Sequence, residues 1–290
     1  MRINPWPLLL IFLGYSPAKA QELTFPIRKD FAWGSVEKQV SKAEIDEFIK
    51  ETPDEFGYYR QEVTNYHSYN LDSLRLCLHF LDINGDNLLD VIFDGQSGGE
   101  PREIEIFINK GDGYKKVFSD MQAISKLEWR DNRLSKLYIF DWGCCDDYVD
   151  YGKIYQTVFD KTNVPDLVQI HQEASIHFGE KPDTLLEKPT RFVVLNNNYN
   201  IRFAPIIDDT SGQIWDDERN RQFHGNIIGK LSKGAKGHAL GKKTDSSGRE
   251  WWYVEIDEEY FPVGFAFTKE NEKYPTKVIG WISSRFVTEF

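Results

Sequence analysis

Along the chain the apolar residues change period. Ile45, Phe48 and Ile49 recur at helical spacing behind Ser41-Lys42-Ala43-Glu44, and Pro53 ends the pattern. Ser41 with Glu44 is a capping box, in which a hydroxyl and a carboxylate satisfy two free N–H groups at a helix start. One short amphipathic helix is predicted there. From Leu74 the period becomes two: Leu74, Leu76, Leu78 and Phe80 share one face and Arg75, Cys77 and His79 the other, which predicts a half-buried strand. Ile104, Ile106 and Ile108 alternate with Glu103, Glu105 and Phe107, and Lys110-Gly111-Asp112-Gly113 supplies a turn into 114–118. Apolar runs at 137–140, 154–159 and 167–170 extend an antiparallel meander.

The pattern breaks at Gly179-Glu180-Lys181-Pro182-Asp183 and Glu187-Lys188-Pro189, which have linker character. Beyond Arg191, short strands with Gly turns follow at near-regular spacing, as in a small barrel. The expected fold class is therefore mainly β: an N-terminal antiparallel sheet or sandwich with one short helix over 21–180, a linker over 181–189, and a small C-terminal β-barrel over 190–290 that folds alone.

Residues 1–20 read as a signal peptide. Arg2 is the positive start, Pro7 to Leu13 the apolar run, and Ala18-Lys19-Ala20 the small-x-small cleavage site. The run is shorter than the roughly 20 residues that span a bilayer. A periplasmic or secreted product with no membrane attachment is expected. Losing Arg2 and Lys19 takes the formal charge from -11 to -13. So acidic a surface without a basic block argues against nucleic acid and anionic membrane, and suits a metal cation or a basic protein. Three cysteines in an exported chain predict one disulfide and one spare thiol. Cys77 with Cys144 or Cys145 is the first choice and a vicinal Cys144-Cys145 bridge the second.

Asp82, Asn84, Asp86 and Asp90 stand at positions 1, 3, 5 and 9 of a loop bent at Gly85, with the Leu88 carbonyl at position 7. Alternating hard oxygens around a glycine suit Ca²⁺. Position 12 is Phe93 where an EF-hand has glutamate, and both flanks read as strands. The loop and the following Phe107-Ile108-Asn109-Lys110-Gly111-Asp112-Gly113-Tyr114 resemble the calcium loop and hairpin of FG-GAP and VCBS repeats, over residues 74–118. A single copy does not make a propeller. A second acidic stretch, Asp141 to Asp150, surrounds the cysteine pair.

No catalytic constellation emerges. Gly95-Gln96-Ser97-Gly98-Gly99 has the spacing of a nucleophile elbow, but an alternating strand follows it where a helix is required. His171 and His177 are six apart, not four as on a zinc-binding helix. An Asp-rich setting would raise rather than lower the thiol pKa of Cys144 and Cys145.

Asn200-Ile201-Arg202 with Pro205, then Ile228-Gly229-Lys230-Leu231-Ser232-Lys233-Gly234, then Gly280-Trp281-Ile282 occur in the order and chemistry of the bacterial SH3 (SH3b) family, which residues 190–290 resemble. That resemblance implies an SH3-like barrel binding a cell-wall peptide or an envelope protein in a groove between loops. Two insertions depart from the family: an acidic loop between Pro205 and Asn226 containing Trp215, Asp216 and Asp217, and residues 257–277. Strand alternation assigns Trp252 and Trp281 to the core and Trp251 to the opposite, exposed face. Trp215, Asp216, Asp217 and Trp251 are the expected ligand contacts. The expected function is a non-enzymatic envelope binding protein. Rivals are an inhibitor of a basic protein such as lysozyme, and a wall hydrolase with its site in 21–180.

Overall fold

The structure is a computed structural model and describes residues 31–60, 70–97, 102–142, 148–210, 213–216, 221–264 and 276–290, with backbone only at 213–216 and 221–224. The signal-peptide reading of 1–20, Cys144, Cys145 and Asp217 lie outside the described residues. The fold is mainly β, with antiparallel sheets and a few short helices.

The capping box forms as its chemistry requires. Ser41 Oγ accepts from Glu44 N at 3.3 Å, Glu44 Oε2 accepts from Ser41 N at 2.7 Å, and helix α1 runs Lys42–Glu51. Helix α2 spans Gly57–Arg60 and helix α3 Leu71–Arg75. This last helix corrects the strand expected from Leu74. Asn70 Oδ1 accepts from the amides of Asp72 and Ser73 at 2.9 and 3.0 Å, so the local cap overrides the period-two pattern. Leu74 is buried, Leu76 is 81% exposed, and the strand β1 starts only at Leu78, covering Leu78–Leu81.

Strands β1, β2 (Asp90–Gln96), β3 (Arg102–Asn109) and β4 (Tyr114–Met121) form one meander in that order. Both of its faces are covered. On one, Val91, Phe93 and Phe107 pack with Phe48, Phe56, Tyr59 and Leu74 of the helical layer. On the other, Ile92, Ile104, Ile106 and Ile108 meet Ile124, Leu134, Leu137 and Ile139 of a second sheet. Two-sided cover hides Glu105 as well, and Lys116 Nζ neutralises it at 2.8 Å.

The second sheet contains β5 (Ala123–Arg130), β6 (Arg133–Asp141), β7 (Val149–Phe159), β8 (Pro165–Ile176) and β9 (Thr190–Val194). Next come β10 (Tyr199–Arg202), a hairpin of β11 (Gln213–Asp216) with β12 (Arg221–His224), and β13 (Ile227–Leu231). The chain ends with β14 (Lys236–Thr244), β15 (Glu250–Ile256), β16 (Lys277–Ser283) and β17 (Val287–Glu289). The sheet order is β5-β6-β7-β8-β16-β15-β14-β9-β17, and β10 bridges β13 and β16. One parallel pairing, Glu173 opposite Lys277 and Ala174 opposite Val278, joins the two halves of the chain in a continuous sheet.

The stretch read as a linker is instead a packed strap. Trp281 Nε1 donates to Glu180 O at 2.6 Å, Leu186 N donates to Leu240 O at 2.7 Å, and Pro182 lies against Gly241. The cause is on β15 and β16: Trp251, Tyr253, Ile279 and Trp281 form a second apolar face beside Leu240, and the strap crosses it. The opposite face carries Trp252, Val254, Val278 and Ile282, and its core is completed by Val149, Ala174 and Ile176 from β7 and β8.

Candidate functional site

Three short segments meet in a cleft of about 170 Å³ in the C-terminal half: Tyr199, Asn200 and Arg202 from β10, Arg249 and Trp251 at the start of β15, and Arg285 with Phe286 in a tight turn after β16. Each segment is fixed from behind. Tyr199 donates its hydroxyl to Ser283 O, and its ring meets Phe286 edge-on at 6.1 Å. Arg202, 5% exposed, donates to Asn226 Oδ1 at 2.7 Å, Asp208 O at 3.0 Å and Asp209 Oδ1 at 2.6 Å. Buried Asn226 in turn donates to the carbonyls of Ala204 and Ile206. A long loop is thereby clamped at its base, with Ile207 on the cleft wall.

Trp251 corrects the expectation of an exposed contact. It is 1% exposed and donates through Nε1 to Asp245 Oδ2 at 2.9 Å. Its place on the face opposite Trp252 was legible, but the strap that covers that face was not. Asp245 is held well below the usual carboxylate range, chiefly by the Ser247 hydroxyl and then the Trp251 indole. The Arg249 guanidinium lies over the Trp251 ring at 5.9 Å. Arg249 and Arg285 form neither a side-chain hydrogen bond nor an ion pair among the described residues. Phe286 and Ile207 are 41% and 54% exposed. The hairpin carrying Trp215 and Asp216 pairs only within itself, with Trp215 opposite Gln222, and its side chains are not described.

The acidic loop lies between β1 and β2, as expected. Asp82 Oδ1 accepts from Gly85 N at 2.7 Å and Asp86 N at 3.2 Å, and its Oδ2 from Asn87 N at 2.9 Å. Asn84 Oδ1 accepts from Asp86 N and Asp86 Oδ1 from Leu88 N. Asp90, fully buried, accepts from Ile83 N and Asn109 N at 2.7 and 2.9 Å. Burial first, then the charges of Asp86 and Asp82, push its carboxyl up to about 7. Gly85 takes φ 74°, the left-handed conformation that glycine enters without strain. Asn163 of the β7–β8 turn exchanges hydrogen bonds with Asn84, which pins the loop to the second sheet.

Cys77 carries a free thiol, and its expected partners Cys144 and Cys145 lie outside the described residues. Its sulfur lies 3.7 Å from the Tyr59 hydroxyl, and burial pushes the thiol pKa up. Gly95 lies within β2, which ends at Gln96, and the next described element is the strand β3 from Arg102.

Sequence reading missed a polar cluster at the seam between the halves. His171 Nε2 is 3.4 Å from Glu173 Oε2, Glu255 lies close by, and Lys277 Nζ pairs with Glu255 at 2.5 Å. Burial drives Glu173 well above the carboxylate range and His171 below its usual value. The members of this cluster stand on three strands far apart in the chain, and no local spacing joins them. Arg249 and Arg285 escape the sequence reading too, although each stands within two residues of an aromatic: Arg249 with Trp251 and Arg285 with Phe286.

Compared with known proteins, the chain matches no family model, no curated protein and no solved structure. No helix among the described residues is long and apolar enough to cross a membrane. What fold and geometry define is a mainly β protein with a preformed polar-aromatic cleft.

Proposed function

We propose that the chain is an exported, non-enzymatic envelope binding protein. In this reading residues 190–290 are an SH3b-like module that takes a cell-wall peptide in the cleft, and the 82–90 loop holds a stabilising Ca²⁺. The observation that carries it is the cleft. Three segments distant in sequence present Tyr199, Trp251, Phe286 and arginines to one concavity, which is how loops on a rigid β scaffold make a recognition site. Apolar surface exposed at Ile207 and Phe286 gains free energy when a ligand covers it, whereas the scaffold around it is already satisfied. In the loop, Asp82, Asn84, Asp86 and Asp90 with the Leu88 carbonyl would be the ligands. Asp82 Oδ1 already accepts two amides, but Asp82 Oδ2 and both carboxylate oxygens of Asp86 and Asp90 accept one hydrogen bond each and keep a second lone pair.

A second reading, an inhibitor of a basic protein such as lysozyme, is favoured by the formal charge of -11. Retention of the purified chain on insoluble peptidoglycan and on immobilised lysozyme separates the two. Retention on peptidoglycan, weakened several-fold by Phe286→Ala, is the expected result. Retention on lysozyme alone selects the inhibitor, and retention on neither overturns both.

A further inference from the structure

We infer that the cleft is a carboxylate receptor: Arg249 and Arg285 take a free carboxylate of the bound peptide while Phe286 and Ile207 cover an adjacent apolar side chain. This deepens the binding proposal and rests on the cleft being the ligand groove.

The chain carries 35 Lys and Arg against 46 Asp and Glu, so a basic side chain usually finds an acidic neighbour. The third arginine does so: Arg202 is fixed by Asp209, Asn226 and the Asp208 carbonyl and serves as a rigid wall. Arg249 and Arg285 line the same cleft with no acidic partner among the described residues, and no carboxylate residue is in the lining. The nearest carboxylate on the same turn, Asp245, is occupied by Ser247, the Arg249 amide and the Trp251 indole. Arg249 is further oriented by the Trp251 face beneath it, which leaves its donor edge for a ligand.

Two guanidinium forks beside an aromatic suit a planar carboxylate, which they can grip bidentately with charge-assisted hydrogen bonds. A nucleic-acid strand is disfavoured by the same charge count, because a polyanion meets a chain with a net negative charge. A single carboxylate feels mainly the local field, since more distant charges are screened beyond roughly 8–10 Å. Wall peptides supply both halves of the chemistry, free carboxylates and short alkyl side chains.

The test uses soluble muropeptides released from peptidoglycan, and the same fragments with their carboxylates amidated, titrated against the full chain by NMR. The expected result is that amidation weakens binding by about tenfold or more, that added salt weakens the native fragments only, and that the Arg249→Gln, Arg285→Gln double variant binds both forms equally. Arg249→Lys should restore part of the preference. Equal binding of both forms to the wild-type chain would overturn the carboxylate assignment and leave the groove standing. Discrimination that survives in the double variant overturns it as well. Binding of neither form overturns the wall-peptide reading and the inference together. Binding of short acidic protein peptides in place of muropeptides would assign the cleft to a protein partner and overturn the wall source.

Discussion

The acidic loop and the arginine cleft differ in how their polar atoms are used. In the loop, every side-chain oxygen of Asp82, Asn84, Asp86 and Asp90 accepts a hydrogen bond from within or beside the loop. In the cleft, two of three guanidinium groups donate to nothing among the described residues, while the third is fully engaged. The loop is contiguous in sequence and its spacing announces it. The cleft is assembled from residues 199, 249 and 285, and no local pattern joins them. Legibility and readiness are therefore opposed: the motif that could be read is built around its own backbone, and the site that could not be read is the one left open to solvent.

The largest effect expected concerns the scaffold beneath the cleft. Trp251 packs at 1% exposure with Leu240, Tyr253, Ile279 and Trp281, so Trp251→Ala should cost about 3–5 kcal/mol, as aromatic-to-alanine changes in cores do. A urea melt measures it. If stability holds and only ligand binding falls, Trp251 is a contact residue and the buried assignment is wrong. A fragment of residues 190–290 should melt without cooperativity, because it lacks Val149, Ala174 and Ile176 from one face and the strap carbonyl of Glu180 from the other. A sharp transition in that fragment would restore the independent module expected from sequence.

The capping box, the sheet, the short strands beyond Arg191 and the burial of Trp252 and Trp281 all follow from short-range pattern. What failed depended on partners far away in the chain. The alternation places Trp251 opposite Trp252 but does not register residues 180–186, which cross that face at Trp281 and Leu240. The polar composition of Glu180, Lys181 and Asp183 resembles a linker, but backbone carbonyls and Pro182 do the packing, and a composition count does not register them. The period-two spacing carries Leu76 into a strand, whereas the Asn70 cap, four residues before the buried Leu74, starts a helix there.

Calcium gives the next effect and bears on the loop side of the comparison. If the loop binds Ca²⁺, saturation at about 100 times Kd should stabilise the chain by about 2.7 kcal/mol, read as a higher melting midpoint with calcium than with chelator. Asp86→Ala, at an exposed position, should erase the difference without unfolding the chain. Equal midpoints in the wild type would show that the backbone hydrogen bonds already complete the loop.

The seam cluster predicts a smaller, pH-dependent effect. Glu173 has a folded pKa raised well above its ordinary 4.5, with burial the first cause and Glu255 the second. A carboxyl whose folded pKa is raised contributes stability that is complete below its unfolded pKa and is lost as pH climbs through the folded value. The wild type should therefore lose stability progressively above about pH 4.5 through this group. Glu173→Gln removes the cost of a buried charge, so its melting temperature should exceed the wild type near about pH 8 and converge with it toward acid. A variant less stable at every pH would mean that Lys277 already neutralises Glu173 as well as Glu255.

The smallest expected change in stability comes from the loop hairpin, and it decides whether Trp215, Asp216 and Asp217 belong to the cleft. Asn226 N donates to Asp208 O at 3.0 Å, so the chain enters and leaves this loop at nearly the same point. Arg202 holds that point through Asp208 O and Asp209, and Gly225 lies so close to Asp208 that a Cβ there would sit 2.1 Å from its carbonyl oxygen. Removing Asp208 and Asp209 would therefore strip partners from a buried guanidinium and damage the cleft wall. Replacing residues 211–224 by a few Gly and Ser residues leaves the clamp intact, and the hairpin β11–β12 pairs with no other strand. Loop-closure entropy varies slowly with length, so the shortened chain should melt within about 1 kcal/mol of the wild type. If muropeptide binding is then unchanged, the cleft residues alone carry recognition; a tenfold loss would extend the site onto the acidic hairpin and give it a second, oppositely charged wall.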